Sequence, residues 1–271
     1  MRIQHNISAL NAHRNLSFNN TATSKNLEKL SSGYRINRAG DDAAGLAISE
    51  KMRAQINGLA QAQNNASDGI NMIQTAEGGL NETHAILQRM RTLAVQSKNG
   101  TYVEEDRDNL QLEVDALSAE IDRISTSTKF NGQTLLSSTA SSLKFEFAIG
   151  SDYETIDVTI SNMGATALSV VALDITTVTG ASAAIADIDI AIGEVSSQRA
   201  TLGAVQNRLE HTVNNLSVTE ENITASESRI RDVDMAKEMM SFTKNNILNQ
   251  AAQAMLAQAN MQPQGVLQLL Q

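Results

Sequence analysis

One long run of helical periodicity restricts the fold of this 271-residue chain more than any other feature. Between residues 73 and 94 an apolar or small side chain recurs at every third or fourth position. This spacing is typical of a coiled-coil seam, and a helix that carries it is more than ~30 Å long at 1.5 Å per residue. The seam positions are Ile73, Ala76, Leu80, Thr83, Leu87, Met90 and Ala94.

A second seam follows after a short interruption. Asn99-Gly100 predicts a left-handed C-terminal cap, because Asn and Gly are the usual residues there. The run from Thr101 to Glu104 has the pattern of a capping box and predicts the start of the next helix. A turn this short predicts two antiparallel helices. The second seam consists of Leu110, Val114, Leu117, Ile121 and Ile124.

The second half of the chain carries a third seam, over about 40 residues, which is longer than an ordinary globular helix and favours a coiled coil or bundle. Polar residues interrupt it at Arg199 and Glu220. Its apolar positions are Ile185, Ile188, Ile192, Val195, Leu202, Val205, Leu209, Val213, Leu216 and Ile223.

The middle of the chain, about residues 138–180, has a different period. Apolar residues alternate on both sides of Gly150-Ser151-Asp152, which predicts a β-hairpin with one apolar face. Residues 164–184 show no clear period, and a second short hairpin or strand is predicted there. The alternating residues of the first hairpin are Leu143, Phe145, Phe147, Ile149, Ile156, Val158 and Ile160.

Composition agrees with thin helical seams. The chain has no Trp and only 3% aromatic residues, so Leu, Ile, Val, Met and Ala supply nearly all the burial. The predicted fold class is therefore mainly α: a long antiparallel coiled-coil helical bundle with a small β-hairpin region. The lack of Cys excludes a disulfide framework and a thiolate metal site.

Both ends of the chain are helical in pattern but poor in large apolar residues. Residues 1–35 and 235–271 are rich in Asn, Gln, Ser and Ala. Such segments cannot offset an ordering cost of about 1–2 kcal/mol per residue alone, so we expect them to order only on assembly. The Met residues near the C-terminus are either adaptable packing residues or an interface for several neighbours.

Net charge and hydropathy exclude two classes of partner. A net charge of −9 argues against nucleic-acid binding, which needs clustered Lys and Arg. No apolar run approaches the ~20 residues of a membrane helix, and the N-terminus lacks the pattern of a cleavable signal peptide. We expect a chain that is soluble when made and that uses another route if it is exported.

No residue pattern indicates catalysis, a cofactor or a metal. The histidines show no metal-ligand spacing and are predicted to be solvated residues on helix faces. Two acidic pairs precede predicted helices, where capping explains them better than acid–base chemistry. Gly78-Gly79 lies within a seam and indicates either close approach of another backbone or a kink. The histidines are His5, His13, His84 and His211; the acidic pairs are Asp41-Asp42 and Asp232/Asp234.

Several stretches, in order along nearly the whole chain, resemble the signatures of bacterial flagellin. Residues 30–49 (LSSGYRINRAGDDAAGLAIS) resemble the N-terminal signature, and residues 228–236 (SRIRDVDMA) with 257–267 (AQANMQPQGVL) resemble the C-terminal one. Residues 87–97 and 121–132 resemble two further flagellin stretches. The resemblance implies a structural subunit, not an enzyme, that self-polymerises into the flagellar filament.

The resemblance also implies an organisation and a set of partners. Residues 1–40 and 230–271 would pair as the inner filament-core domain, and 41–229 would form a helical rod without the large outer domains of longer flagellins. The chain would be exported unfolded by the flagellar type III apparatus and would be extracellular in the filament. Its partners would be further copies of itself, an export chaperone on the C-terminal segment, and the filament cap and hook-junction proteins.

By position in the family, a site recognised by the Toll-like flagellin receptor of animal hosts would fall on the first two predicted rod helices. Thr92 is a departure, because many receptor-activating members carry an acid there. Arg89 with Glu113 is also readable as a simple inter-helix ion pair, worth ~0–1 kcal/mol. The receptor-recognition residues implied are Gln88, Arg89, Leu93, Gln96 and Glu113.

Three other interpretations remain open from the sequence. A hook–filament junction protein has flagellin-like ends, although the near-complete C-terminal signature favours flagellin. An enzyme insert of the metalloprotease type is disfavoured, because His-Glu-x-x-His is absent and the middle region is short. Residues 140–180 can also serve as a binding module or adhesin.

Overall fold

The computed structural model describes residues 6–137, 142–148 and 155–268. The described residues form five helices, which confirm the mainly α prediction. The helices are α1 (Ile7–Ser32), α2 (Ala43–Ser97), α3 (Glu104–Ser127), α4 (Val178–Arg231) and α5 (Met235–Gln268). Four strands, β1 (Lys129–Phe130), β2 (Gln133–Thr134), β3 (Ser142–Ala148) and β4 (Thr155–Ser161), form two antiparallel pairs between α3 and α4.

The chain divides into two compact units, and the divisions fall within α2 and α4. The terminal unit comprises Met1–Ile56 and Glu221–Gln271, and the rod unit comprises Asn57–Glu220. Charge is unevenly shared: the rod unit has 9 Lys and Arg against 21 Asp and Glu, a net charge of −12. The terminal unit has 12 basic and 9 acidic side chains, a net charge of +3.

Within the rod unit α2 runs antiparallel to both α3 and α4. Residue numbers fall along one helix as they rise along its partner in each set of cross-helix contacts. The contacts of α2 with α3 are Arg107 Nε to Ser97 O at 3.0 Å and Arg89 to Glu113 at 2.8 Å. Those of α2 with α4 are Gln63 to Glu220 at 2.9 Å, Glu77 to Arg199 at 3.5 Å and Arg91 to Asp189 at 2.6 Å.

The predicted seams form the core of the rod unit. All seven seam positions from Ile73 to Ala94 are buried, the Thr83 side chain included. In α4 the buried seam also includes Ala181, Ala184 and Ala191, which the predicted seam did not contain. Small side chains of this kind allow close packing of helices. The buried positions of α4 within the rod unit are Ala181, Ala184, Ile188, Ala191, Val195, Gln198, Leu202, Val205, Leu209 and Leu216.

The turn between α2 and α3 lies where the sequence predicts it, but both predicted caps are wrong. Neither Asn99 nor Gly100 has a positive φ, so α2 has no left-handed cap. Instead the Arg107 side chain donates to the carbonyls of Ser97 (3.0 Å) and Asn99 (3.3 Å). The N-cap of α3 is Val103, without a side-chain hydrogen bond, and acids in the first turn complement the helix dipole.

The hairpin of β3 and β4 confirms the alternation in the middle of the chain. Ile156, Val158 and Ile160 are buried in β4, opposite the half-buried Phe147, Phe145 and Leu143 respectively. The predicted Ile149 and the turn at 150–152 lie outside the described residues.

The buried side chain of Gln198, on α4, also forms hydrogen bonds with the backbone of β4. Its amide donates to Thr159 O at 2.9 Å and accepts from Ser161 N at 3.4 Å, so α4 satisfies part of the strand's second edge.

The strand or hairpin expected in residues 164–184 is wrong. Residues 162–177 form turns, and α4 begins at Val178. Side chains of α3 take the place of a neighbouring strand: Gln111 bonds Leu173 O and Ile175 N, and Ser118 donates to Val170 O at 3.1 Å. These partners are non-local side chains, which periodicity cannot reveal.

A short hairpin does exist elsewhere. Lys129 pairs with Thr134 and Phe130 with Gln133, around a two-residue turn at Asn131 (φ 49°) and Gly132 (φ 80°). Positive φ at both positions is the type I′ geometry that Asn-Gly favours. The Asn131-Gly132 pair in the sequence could have predicted this hairpin.

Gly79 is confined by side chains and not by another backbone, which corrects the first interpretation of the glycine pair. A Cβ there would lie 2.8 Å from both Leu136 Cδ1 and Thr128 Oγ1. A Cβ at Gly78 would meet nothing within 4 Å. The loop after α3 therefore packs tightly against one glycine only.

Candidate assembly surface

The terminal unit is built on the antiparallel pair of α1 and α5. At one end the Asn6 amide donates to Ala259 O at 2.7 Å; further along α1 the Asn249 amide donates to Thr23 Oγ1 at 3.0 Å. Asn249 is buried and its Oδ1 has no partner among the described residues. The pair is thus held partly by polar contacts, which agrees with the scarcity of large apolar residues in both segments.

Short backbone contacts join the two segments where α1 ends and α5 begins. Gly33 ends α1 in the left-handed conformation (φ 75°), and its carbonyl accepts from Val233 N at 3.0 Å. Arg35 N donates to Arg231 O at 2.6 Å, on either side of the bridge between Tyr34 and Asp232. These contacts form a crossing that joins the end of α1 to the segment that precedes α5.

Arg231 is the central side chain of this crossing. Its guanidinium carbon lies 4.7 Å from the centre of the Tyr34 ring, and Nη1 lies 2.6 Å from Glu50 Oε1. The hydrogen bond from Arg231 lowers the pKa of the Glu50 carboxyl. Sequence periodicity missed this cluster, because its members come from α2, α4 and the loop after α1.

One acid of each pair, Asp42 and Asp234, serves as a helix cap as predicted, whereas Asp232 accepts from the Ser228 hydroxyl at 2.6 Å. Asp42 Oδ1 accepts from Gly45 N at 2.8 Å before α2, and Asp234 Oδ1 accepts from Lys237 N at 3.1 Å before α5. Asp41 instead closes the preceding loop by accepting from Arg38 N at 3.1 Å, and these backbone bonds lower the pKa of its carboxyl.

The outer faces of the helix pair leave large apolar side chains in solvent. None of the 26 residues of α1 is buried, and Phe18 is 74% exposed. On α5, Met240 is 67% and Met255 66% exposed. We name these residues the terminal apolar surface: Ile7, Leu10, Phe18, Leu27, Met235, Met239, Met240, Ile247, Leu248, Met255 and Met261.

Four of the five residues implied for receptor recognition make polar contacts near the rod surface. Arg89 and Glu113 form a half-exposed ion pair at 2.8 Å. Gln88 lies 2.9 Å from His84, and Gln96 donates to the Tyr102 hydroxyl at 3.0 Å. Leu93, the fifth, is fully buried.

The described residues contain no group of three or more His, Cys, Asp or Glu arranged to hold a metal ion. His13 and His211 are exposed and His84 is half-buried, whereas His5 lies outside the described residues. Nor does any helix in the described part of the chain have the length and apolar character needed to span a bilayer.

Fold and surface together define a class: helical subunits whose terminal helices are left with unburied apolar faces. Comparisons with known proteins make the family specific. The profile described as the bacterial flagellin N-terminal helical region matches residues 3–141, and that of the C-terminal helical region matches residues 185–270. The chain belongs to the bacterial flagellin family.

Relatives match it from end to end. Identity is 58% over 303 residues with the flagellin of Bacillus subtilis (strain 168) and 58% over 271 residues with that of Halalkalibacterium halodurans, covering 100% of each chain. A flagellar filament 33 kDa core protein of Treponema phagedenis is 51% identical over 286 residues, again with full coverage. The family resemblance read from the sequence, including the short form, is confirmed.

A solved structure shares the fold at low sequence identity. It is a putative flagellar hook-associated protein from Vibrio parahaemolyticus, with a TM-score of 0.60 and 15% identity, and the match covers 71% of this chain and 100% of that one.

Proposed function

We propose that this chain is a structural subunit that polymerises with copies of itself into the extracellular helical filament of a bacterial flagellum. The observation that carries the proposal is α1, a helix of 26 residues without a single buried one. A helix with apolar residues that a single chain leaves exposed gains most from neighbouring copies. Contacts between unlike surfaces of identical subunits produce an open helical polymer when the rotation between neighbours does not close a ring.

In this proposal the terminal segments of the chain become ordered as the subunit joins the filament. Residues 1–40 and 230–271 form the inner filament core, and 41–229 form the rod. In the free subunit few buried apolar contacts hold the terminal helices, which agrees with ordering on assembly.

Truncation tests this division of labour. Chains lacking residues 1–30 or 240–271 should remain soluble and helical by circular dichroism, yet form no filaments under conditions where the full-length chain does. Electron microscopy supplies the readout. Filaments of normal width from either truncated chain would contradict the proposal.

A hook–filament junction protein is the competing structural function. The hook-associated neighbour shares only the fold, whereas full-length relatives above 50% identity are flagellins and a filament core protein. Seeded growth separates the two functions: a filament subunit lengthens seeds in proportion to the protein added, whereas a junction protein adds a fixed short zone. The relatives are structural proteins, and catalysis forms no part of this proposal.

Export completes the proposed life cycle. The chain leaves the cell unfolded through the flagellar type III apparatus, with an export chaperone on α5 and the cap protein guiding addition at the filament tip. The exposed Met residues of α5 suit a chaperone, because Met side chains adapt to different partners. Met240→Ser with Met255→Ser should reduce chaperone co-purification, whereas Ser241→Ala, on the same helix, should not.

Recognition by the host Toll-like flagellin receptor is a further part of the proposal, with Gln88, Arg89, Gln96 and Glu113 as contacts and Leu93 as packing support. The chain offers a matched control. Arg89 pairs with Glu113, and Arg91, two residues on, pairs with Asp189 at similar exposure. Arg89→Ala should weaken receptor signalling in reporter cells and Arg91→Ala should not; equal effects would oppose this assignment.

A further inference from the structure

Three Asn-Gly sequences lie in the rod unit in different backbone settings: Asn57-Gly58 lies within the helix α2, and the other two lie in turns. Asn99-Gly100 lies in the turn between α2 and α3, and Asn131-Gly132 forms the β1–β2 turn; all four residues are exposed. Asn followed by Gly is the pair most open to cyclisation, because the glycine nitrogen can reach the side-chain carbonyl carbon without hindrance from a Cβ.

The surroundings of Asn99 favour that attack. Its Oδ1 accepts from Thr101 N–H at 3.4 Å, a donor placed where negative charge develops as the carbonyl is attacked. In the described part of the chain the Gly100 N–H has no hydrogen-bond acceptor, so no such bond must break before it loses its proton.

A cation also lies beside this turn. Arg107 donates to the backbone carbonyls of Ser97 and Asn99, at 3.0 and 3.3 Å. A guanidinium bonded to the Asn99 carbonyl draws charge from the peptide group that joins Asn99 to Gly100, which stabilises the deprotonated Gly100 nitrogen. Both bonds of Arg107 go to backbone carbonyls of the turn, and neither goes to the Asn99 side chain.

Asn131 has a less favourable setting. Its φ of 49° and the 80° of Gly132 are required by the hairpin, whose strands pair Phe130 with Gln133. Rotating the Asn131 side chain and peptide into the geometry of ring closure removes that turn and the pairing with it. Asn131 therefore provides a reference site within the same molecule.

We propose that Asn99 is a site of spontaneous deamidation in the folded protein. The Gly100 nitrogen bonds to Cγ of Asn99, the proton it loses passes to the side-chain nitrogen, and that nitrogen leaves as ammonia. The five-membered succinimide then takes up one water at either carbonyl and opens to aspartate or isoaspartate. No oxidation or reduction occurs, and solvent is the only co-reactant.

The product changes the end of α2. A carboxylate at position 99 adds a negative charge close to the C-terminal, partially negative end of the helix, in a unit already at −12. In isoaspartate the main chain runs through the side-chain carbonyl carbon, and the former backbone carbonyl of residue 99, which Arg107 contacts, becomes a free carboxylate. Both products therefore change the charge and the bonding of the turn between α2 and α3.

Peptide mapping by mass spectrometry tests the site on the intact, folded chain. After incubation at mildly alkaline pH, conversion at Asn99 should be roughly tenfold faster than at Asn131, equivalent to about 1.4 kcal/mol in activation free energy. In denaturant the two rates should converge. Equal rates in the folded protein, or faster conversion at Asn131, would overturn the proposal.

Two variants test the mechanism. Gly100→Ala places a Cβ beside the attacking nitrogen and should slow conversion at position 99 without altering Asn131. Arg107→Gln should slow it as well, with Arg107→Lys restoring part of the rate by keeping the charge. Unchanged conversion in Gly100→Ala would show that the succinimide route is not used and would also overturn the proposal.

Discussion

Phe18 offers the sharpest test of the terminal apolar surface. It lies on α1 and is 74% exposed in the single chain. Full burial of a Phe side chain contributes about 1.5–3 kcal/mol, so burying the exposed three quarters in a filament contributes about 1–2 kcal/mol per subunit. Phe18→Ala removes that contribution from the filament and leaves the free subunit almost unchanged.

The effect is measurable as a change in critical concentration. Since 1.4 kcal/mol is tenfold in an equilibrium constant, Phe18→Ala should raise the subunit concentration in equilibrium with filaments roughly 5- to 30-fold. Sedimentation of filaments grown on short seeds gives that concentration directly. Asn15→Ala is the matched control, because it shortens an exposed polar side chain of the same helix to the same residue.

The outcome separates assembly from folding. Thermal unfolding of the free subunit should be the same for Phe18→Ala and the unaltered chain. A critical concentration that does not change in Phe18→Ala would refute the burial of this residue between subunits. A rise of equal size in Asn15→Ala would refute the assignment of the effect to apolar burial.

Three further predictions concern stability, pH and salt. Gly78→Ala should stabilise the rod unit by about 1 kcal/mol through helix propensity, whereas Gly79→Ala should lose that gain to overpacking of about 1–3 kcal/mol against Leu136 and Thr128; chemical denaturation measures both. The pKa of Glu50 is lowered in the folded chain, so its bond with Arg231 stabilises the terminal unit above the ordinary pKa of about 4.3 and is lost as pH falls through the lowered value. Hydrogen-exchange protection of Arg35 and Val233 should therefore fall at acid pH, and Glu50→Gln should remove that dependence. Filament growth should be slow at low ionic strength and faster as salt screens repulsion between rod units of charge −12, while a uniform rate across salt concentrations would contradict this reasoning.

The sequence predicted what depends on local period. The seam from Ile73 to Ala94 and the alternation in β4 were readable because burial repeats at the spacing of the helix or strand. Asp42 and Asp234 were readable as caps because capping acts within one turn. The failures share a cause, because in each case a side chain outside the local pattern binds the backbone groups. Arg107 replaces a left-handed cap from the next helix, and Gln111 and Ser118 replace a neighbouring strand from positions more than fifty residues away.

The contrast between local patterns and long-range contacts also explains why the sequence revealed only part of the candidate assembly surface. The sparse ends of the chain indicated that single-chain burial is small, and α1 bears this out with no buried residue. The crossing of Tyr34, Arg231 and Glu50 was not readable, since three segments far apart in sequence supply it.

If that crossing sets the register of α1 against α5, it also decides which apolar side chains point outward together. Arg231→Ala should then lower the yield of filaments although no residue of the terminal apolar surface has changed, and Arg229→Ala, two residues earlier with an exposed side chain, should leave it intact. Normal assembly of the Arg231 variant would mean that the helix pair finds its register without this crossing.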